Sequence, residues 1–124
     1  MKNLIYKDLV YIINGCAFQA FAYAGPGYRE RYYCQLLTKY FEEAKLAYVH
    51  QYKIDTLLYS KIVSKRYADF LIEDAVVLEI KIGEKWYKKD FDQINEYLKL
   101  TKKRLGLLIL FTKNGARIKR IANL

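Results

Sequence analysis

Three residues stand out for their chemistry: Asp69, Glu79 and Lys81 carry charge inside runs that are otherwise apolar. The segment reads Tyr67-Ala68-Asp69-Phe70-Leu71-Ile72, then Glu73-Asp74-Ala75, then Val76-Val77-Leu78-Glu79-Ile80-Lys81-Ile82. Side chains alternate across a strand, so Val77, Glu79 and Lys81 share one face while Val76, Leu78, Ile80 and Ile82 share the other. With residues 73–75 as a hairpin loop, Asp69 falls opposite Glu79, where facing Cβ atoms stand about 4.5–5.5 Å apart. Two carboxylates held that close repel each other. A divalent cation with oxygen ligands would compensate, and Lys81 supplies a second positive group. The bland alternative is a solvent-facing strand with an ordinary cross-strand ion pair, worth little. On this segment alone the two readings balance. Glu43-Ala44-Lys45 has the same acid-x-Lys form, but it lies in a helical pattern with no aspartate-bearing strand before it.

Two other segments bear on the choice. Glu30 stands three residues before Tyr33 and so belongs to the apolar stripe of a helix. An inward carboxylate needs a partner, which a cation could be. A first-turn acid favoured by the helix dipole is an equally ordinary explanation. Gln93 and Tyr97, at i and i+4 beside Ile94, could line a cleft, although a solvated face is the default for such residues.

The elements that must position these residues follow from periodicity. Leu9, Ile12, Ile13, Cys16, Ala17 and Ala20 recur at helical spacing from Tyr6 onwards, until Gly25-Pro26-Gly27 breaks the helix. Tyr33, Leu36, Leu37, Tyr40, Phe41 and Ala44 form the stripe of a second helix. Residues 47–54, 57–63, 66–72 and 76–82 read as strands, rich in β-branched and aromatic side chains. A third helix spans about 87–102 with Phe91, Ile94 and Leu98 inward. Residues 106–111 (GLLILF) read as a strand covered on both sides, and a last edge strand lies around 117–121. The expectation is a single α/β domain over residues 1–124, with a mixed sheet and the third helix as crossover between parallel strands.

Composition narrows the class. A chain of 124 residues, 53% hydrophobic with one proline, is globular rather than disordered. Its 22 Lys and Arg against 13 Asp and Glu leave a formal charge of +9, which suits a polyanion such as nucleic acid. Anionic lipid is the competing polyanion, and many soluble proteins are merely basic. The 13 tyrosines can fill a core or stack on bases. Cys16 and Cys34 form no CxxC pair, and with His50 alone they cannot build a zinc site without carboxylates. They read as buried free thiols of a reducing cytoplasm. No stretch reaches the roughly 20 apolar residues of a membrane span, and Lys7, Asp8, Asn14 and Gln19 interrupt the N-terminal apolar run, unlike a signal peptide.

Gly27-Tyr28-Arg29-Glu30-Arg31-Tyr32-Tyr33 fits the pattern that names the GxxExxY proteins, and the chain resembles those small prokaryotic members of the PD-(D/E)XK nuclease superfamily. The likeness continues through Ala68-Asp69-Phe70, Glu79-x-Lys81, Arg104-Leu105-Gly106-Leu107-Leu108 and Ile118-Lys119-Arg120-Ile121. Gln93-x-x-x-Tyr97 also resembles the QxxxY motif of RecB-like nucleases. One departure is Tyr67 before the Ala-Asp pair, where the family often has arginine; here Arg66 lies one place earlier. The resemblance implies a restriction-endonuclease-like mixed β-sheet flanked by helices in the order α-α-β-β-β-α-β-β, and a nuclease acting on nucleic acid, with DNA the expected substrate. It implies Mg²⁺ or Mn²⁺ held by Asp69 and Glu79, with Glu30 as a further ligand directly or through water. Lys81 would act on the attacking water or the developing charge, and Gln93 and Tyr97 on the substrate strand or the metal shell. Lys88, Lys89, Lys102, Lys103, Arg104, Lys119 and Arg120 are candidates for phosphate contacts. A homodimer is compatible with this reading. The alternatives are a binding module that keeps the fold without cleavage, and a regulatory or assembly protein in which the carboxylates are structural.

Overall fold

The computed structural model describes residues 5–123. Helices α1 (Lys7–Ala24) and α2 (Glu30–Glu43) come first, then strands β1 (Tyr48–Leu58), β2 (Lys61–Ile72) and β3 (Val76–Ile82). Helix α3 (Lys88–Thr101), β4 (Leu105–Thr112) and β5 (Gly115–Ala122) complete the fold. The five strands lie side by side in chain order, β1-β2-β3-β4-β5. Only β3 and β4 run parallel, with α3 as the crossover between them; the other neighbours are antiparallel.

One face of the sheet carries α1 and α2. Phe70, Ile72, Leu78, Ile80, Leu107 and Ile109 pack there against Ile13, Ala17, Tyr33, Leu37 and Phe41. The stripe on α1 is shifted from expectation, since Val10 is buried and Ile12 is exposed. The other face carries α3 through Tyr97 and Leu98, which join Leu71 and Val77. Gly106 lies under α3, where an added Cβ would stand 2.6 Å from Ile94 Cδ1. Its missing side chain lets the helix sit close to β4. The GLLILF run is buried from end to end, as a central strand covered on both faces must be.

The strands expected at 47–54, 57–63 and 66–72 are two longer ones. The middle segment straddles a hairpin turn at Tyr59-Ser60, both with left-handed φ (50° and 65°), a conformation that two-residue hairpins favour but Asn and Gly usually supply. Without those residues the turn left no mark in the sequence, and the apolar flanks read as one strand. Leu57, Leu58, Ile62 and Val63 around this tip are exposed.

The β1–β2 ribbon also changes face. Tyr48 and Phe70 pack on the α1–α2 side, whereas Tyr52, Ile54 and Ala68, of the same parity, pack on the α3 side. The switch falls where ladder pairing skips Gln51 and Asp69, with Gln51 in the left-handed region (φ 58°). Such an irregularity re-aims side chains near it, and Asp69 is one of them.

Candidate active site

The three-residue loop between β2 and β3 sets the register Ile72↔Val76, Leu71↔Val77 and Phe70↔Leu78. An odd loop places Asp69 level with Glu79. Ladder pairing stops at Phe70↔Leu78, and from there the Asp69 side chain takes over: the Ile80 N–H donates to Asp69 Oδ2 at 2.7 Å. Asp69 therefore completes the edge of β3 while its carboxylate stays at the point where the strands part.

Glu79 is almost fully buried, at 4% exposure. Its carboxyl lies within hydrogen-bond reach of Asp69, and Oε1 has no hydrogen-bond donor. Burial, then the Asp69 charge, pushes its pKa up to about 9, with Lys81 opposing. Glu30, in the first turn of α2, approaches Asp69 from the opposite helix layer. It remains accessible from a cleft, yet the surrounding protein strips part of its hydration, and with Asp69 beside it the pKa rises to about 7. The same three acids, after burial itself, push the buried Cys34 thiol up.

Glu30 is held in place by its own helix. Tyr33, one turn on, is buried, stacks on Phe111 at 4.2 Å between centroids and donates its hydroxyl to the Gly25 carbonyl at 2.6 Å. Gly27 has φ 97° with open space around it, so backbone freedom rather than close approach is what glycine supplies there.

Lys81 emerges from β3 on the α3 side. Its ammonium donates to Gln93 Oε1 at 3.1 Å and lies 3.7 Å from Asp90 Oδ1. Asp90 is itself buried, and its Oδ2 accepts the Tyr87 N–H at 3.2 Å, capping α3. It was missed from the sequence because Lys88-Lys89-Asp90 looks like a solvated first turn; its place three residues after the helix cap was the one available signal. Tyr97, a buried residue one turn beyond Gln93, reaches the Tyr67 carbonyl at 3.5 Å, and Arg66 lies over its ring at 4.8 Å. Arg66 also pairs with Glu96. Burial, then Glu79, raises the Tyr97 phenol.

A cleft of about 520 Å³ opens beside the acids, lined by Glu30, Arg31, Cys34, His50, Gln51 and Asp69. His50 stacks on Phe70 at 4.7 Å. Neither His50 nor Gln51 stood out in the sequence, since the backbone irregularity that brings them to the cleft follows no motif.

The basic candidates divide. Lys103 donates to the Asp74 carbonyl and carboxylate at 3.0 Å, so Lys102, Lys103 and Arg104 stand at the hairpin end of the sheet, away from Lys81. Arg120 is tied to the Ile5 carbonyl at 2.7 Å, and Lys119 lies on edge strand β5. Lys88 pairs with Asp92 at 2.8 Å, and Lys89 lies 5.7 Å from the Tyr87 ring centroid.

Glu30, Asp69 and Glu79 touch in pairs rather than converging on one point. Among the described residues, no three Asp, Glu, His or Cys side chains form a ready-made ligand set. The donors nonetheless suit a hard divalent ion. All are oxygens, one is buried without a partner, and Glu79 and Glu30 are raised in pKa by burial and then by the Asp69 charge, which a cation would offset. Mg²⁺ sites commonly use one or two carboxylates completed by water and substrate phosphate rather than an all-protein cage.

A family model described as the PD-(D/E)XK nuclease superfamily matches residues 7–121. The chain belongs to that superfamily. Among curated proteins, none matches the sequence. Of solved structures, the chain resembles an alkaline exonuclease (LHK-Exo) from Laribacter hongkongensis, with TM-score 0.53 and 14% identity over 70% of this chain and 52% of that one. It also resembles SSO0001, with TM-score 0.53 and 17% identity over 95% of this chain and 60% of that one. The chain thus spans about half to three fifths of these structures' lengths, and at such identity the likeness is one of fold. Among the described residues, no helix is long and apolar enough to cross a membrane.

Proposed function

We propose that this protein is a Mg²⁺- or Mn²⁺-dependent phosphodiesterase that hydrolyses nucleic acid, DNA being the expected substrate, and that it is a GxxExxY-type member of its superfamily. The observation that carries this reading is the buried Glu79 carboxyl, set against Asp69 with one oxygen unpartnered, on the same strand face as Lys81. A purely structural pair would be expected to satisfy that oxygen.

Asp69 and Glu79 would hold the cation, with Glu30 on the cleft side as a third oxygen donor. The cation, when bound, supplies Lewis-acid polarisation of a phosphoryl oxygen and acidifies the attacking water. Lys81 is near enough to Glu79 and Glu30 to oppose the rise in their pKa, and it is aimed by Asp90 and Gln93. Its ammonium would orient the water or stabilise the charge growing on phosphorus-bound oxygen. Tyr97 fixes the face of α3 from which Gln93 reaches Lys81. The formal charge of +9 favours a polyanionic substrate, and the two free, buried cysteines suit a reducing cytoplasmic setting.

Pure protein incubated with labelled single- and double-stranded DNA and RNA tests this, in Mg²⁺, Mn²⁺ or EDTA. Cleavage that needs the divalent ion and is lost in Glu79→Gln supports it. Binding without cleavage in every metal would favour a binding module instead.

A further inference from the structure

Two clefts meet at the start of α2. The carboxylate cleft has Arg31 in its wall. Arg31 also lines a second cleft of about 440 Å³, formed by Gly27, Tyr28, Arg29, Arg31, Tyr32 and Gln35. The two share Arg31 as a common wall, but their chemistry is opposite: the second is lined by two tyrosines and two arginines and by no acid.

Tyr28 is held by other rings rather than by the backbone alone. Its centroid lies 4.5 Å from that of Tyr32, tilted by 30°, and 6.2 Å from Tyr33 in an edge-on arrangement. Tyr33 is stacked in turn on core Phe111. Even so, 46% of Tyr28 remains exposed. The loop bearing it abuts the C-terminal end of β3, since Pro26 and Gly27 share a recess with Ile82, Gly83 and Glu84. Lys81 lies one residue before that recess. A supported aromatic surface flanked by arginines, next to the carboxylate cleft proposed to cleave phosphodiesters, matches what a nucleobase and its phosphates present. Bases stack on such a surface whatever their identity, but only an unpaired base leaves its ring free to leave the duplex stack.

We propose that the Tyr28–Tyr32 cleft is a stacking site for an unpaired base of the substrate strand, with Arg29 and Arg31 at its phosphates, so that the protein engages single-stranded DNA or single-stranded ends. This rests on the nuclease reading of the carboxylate cleft and specifies the form of strand that enters it.

The test measures binding in Ca²⁺, without turnover, of a labelled twelve-residue oligo-dT and of covalently closed duplex DNA. Tyr28→Ala weakens oligo-dT binding by roughly tenfold or more, the scale of one lost base stack, and leaves closed-duplex affinity within about twofold. Tyr28→Phe, which keeps the ring and loses the hydroxyl, binds oligo-dT like the wild type, so a general folding defect is separable. Arg29→Ala lowers the log–log salt slope on oligo-dT by roughly 0.7, one phosphate contact on a single strand. Wild-type oligo-dT affinity in Tyr28→Ala, equal losses on both DNAs, or a Tyr28→Phe as weak as Tyr28→Ala would overturn the stacking site. Oligo-dT held through Tyr28 but left uncut in Mg²⁺ and Mn²⁺ would uphold stacking while removing the nuclease reading. Metal-dependent cutting indifferent to Tyr28 would do the reverse.

Discussion

Replacing Glu79 by glutamine should stabilise the metal-free protein, and the gain should grow with pH. The folded-state pKa of Glu79 is raised from 4.5 to about 9 by burial and Asp69, so the native state holds a proton that the unfolded chain has released. Stability must then fall as pH rises through that window, because the native state binds more protons than the unfolded one. Glu30, raised to about 7, contributes the same sign at lower pH. Above pH 7 the Glu79 proton dominates, and pH 8.5 still lies below the ordinary thiol value of 9.0. Over those 1.5 units, at about 1.36 kcal/mol per unit for one proton, the wild type loses about 2 kcal/mol. Glutamine has the shape of the protonated acid and can donate to Asp69, so Glu79→Gln loses little over the same range. Urea unfolding in EDTA at pH 7.0, 7.5, 8.0 and 8.5 reads the two slopes directly. Excess Mn²⁺ at pH 8 should restore the wild type and leave Glu79→Gln unmoved. A wild-type stability that is flat or rising from pH 7 to 8.5, or an equal slope in Glu79→Gln, would refute the reasoning.

Titration calorimetry should show Mn²⁺ binding by the wild type that Asp69→Asn or Glu79→Gln largely removes; equal binding by all three would place the ion elsewhere. Lys81→Ala should slow cleavage of bound DNA by roughly 100-fold or more, the scale of a lost charge-stabilising donor, with much less change of affinity in Ca²⁺. Asp90→Asn, which loosens the partner that aims Lys81, should slow cleavage by about 10- to 100-fold, read as a fall in kcat with KM nearly constant. Gly106→Ala should destabilise by about 1–3 kcal/mol through overpacking against Ile94, and Ile94→Val in the same chain should recover part of the loss in urea unfolding.

Much of the framework was legible because its signals are local. The hairpin loop at residues 73–75 is bounded by two strongly patterned strands, so the register that levels Asp69 with Glu79 followed from counting. The short apolar GLLILF run is best read as a strand covered on both faces, and the strand is buried from end to end. What escaped notice depends on backbone states that residue type does not announce. Tyr59-Ser60 turns without glycine or asparagine, and Gln51 is left-handed inside a strand. The face switch at Gln51 and Asp69 therefore had no sequence mark, nor did the cleft it opens beside His50. Asp90 was hidden for a different reason: a helix cap and an ion-pair partner for Lys81 look alike until the fold brings β3 under α3. Charge alone groups the lysines at 102 and 103 with the substrate contacts, whereas their place between α3 and β4, with Lys103 bonded to Asp74, puts them at the hairpin end of the sheet.

Because the strands lie side by side in the order in which they occur along the chain, each ladder joins segments that are neighbours in sequence. Three of the four pairings close through short turns, and only β3 with β4 must wait for a helix to form between them. Folding rates fall as contacting residues lie further apart in the chain, so the slow step of assembly should be the docking of α3 that brings β4 beside β3. The same event carries Asp90 and Gln93 to Lys81. A chain that has formed its β1–β2–β3 meander but not this crossover would already have Asp69 and Glu79 level with each other, yet nothing to aim the lysine beside them.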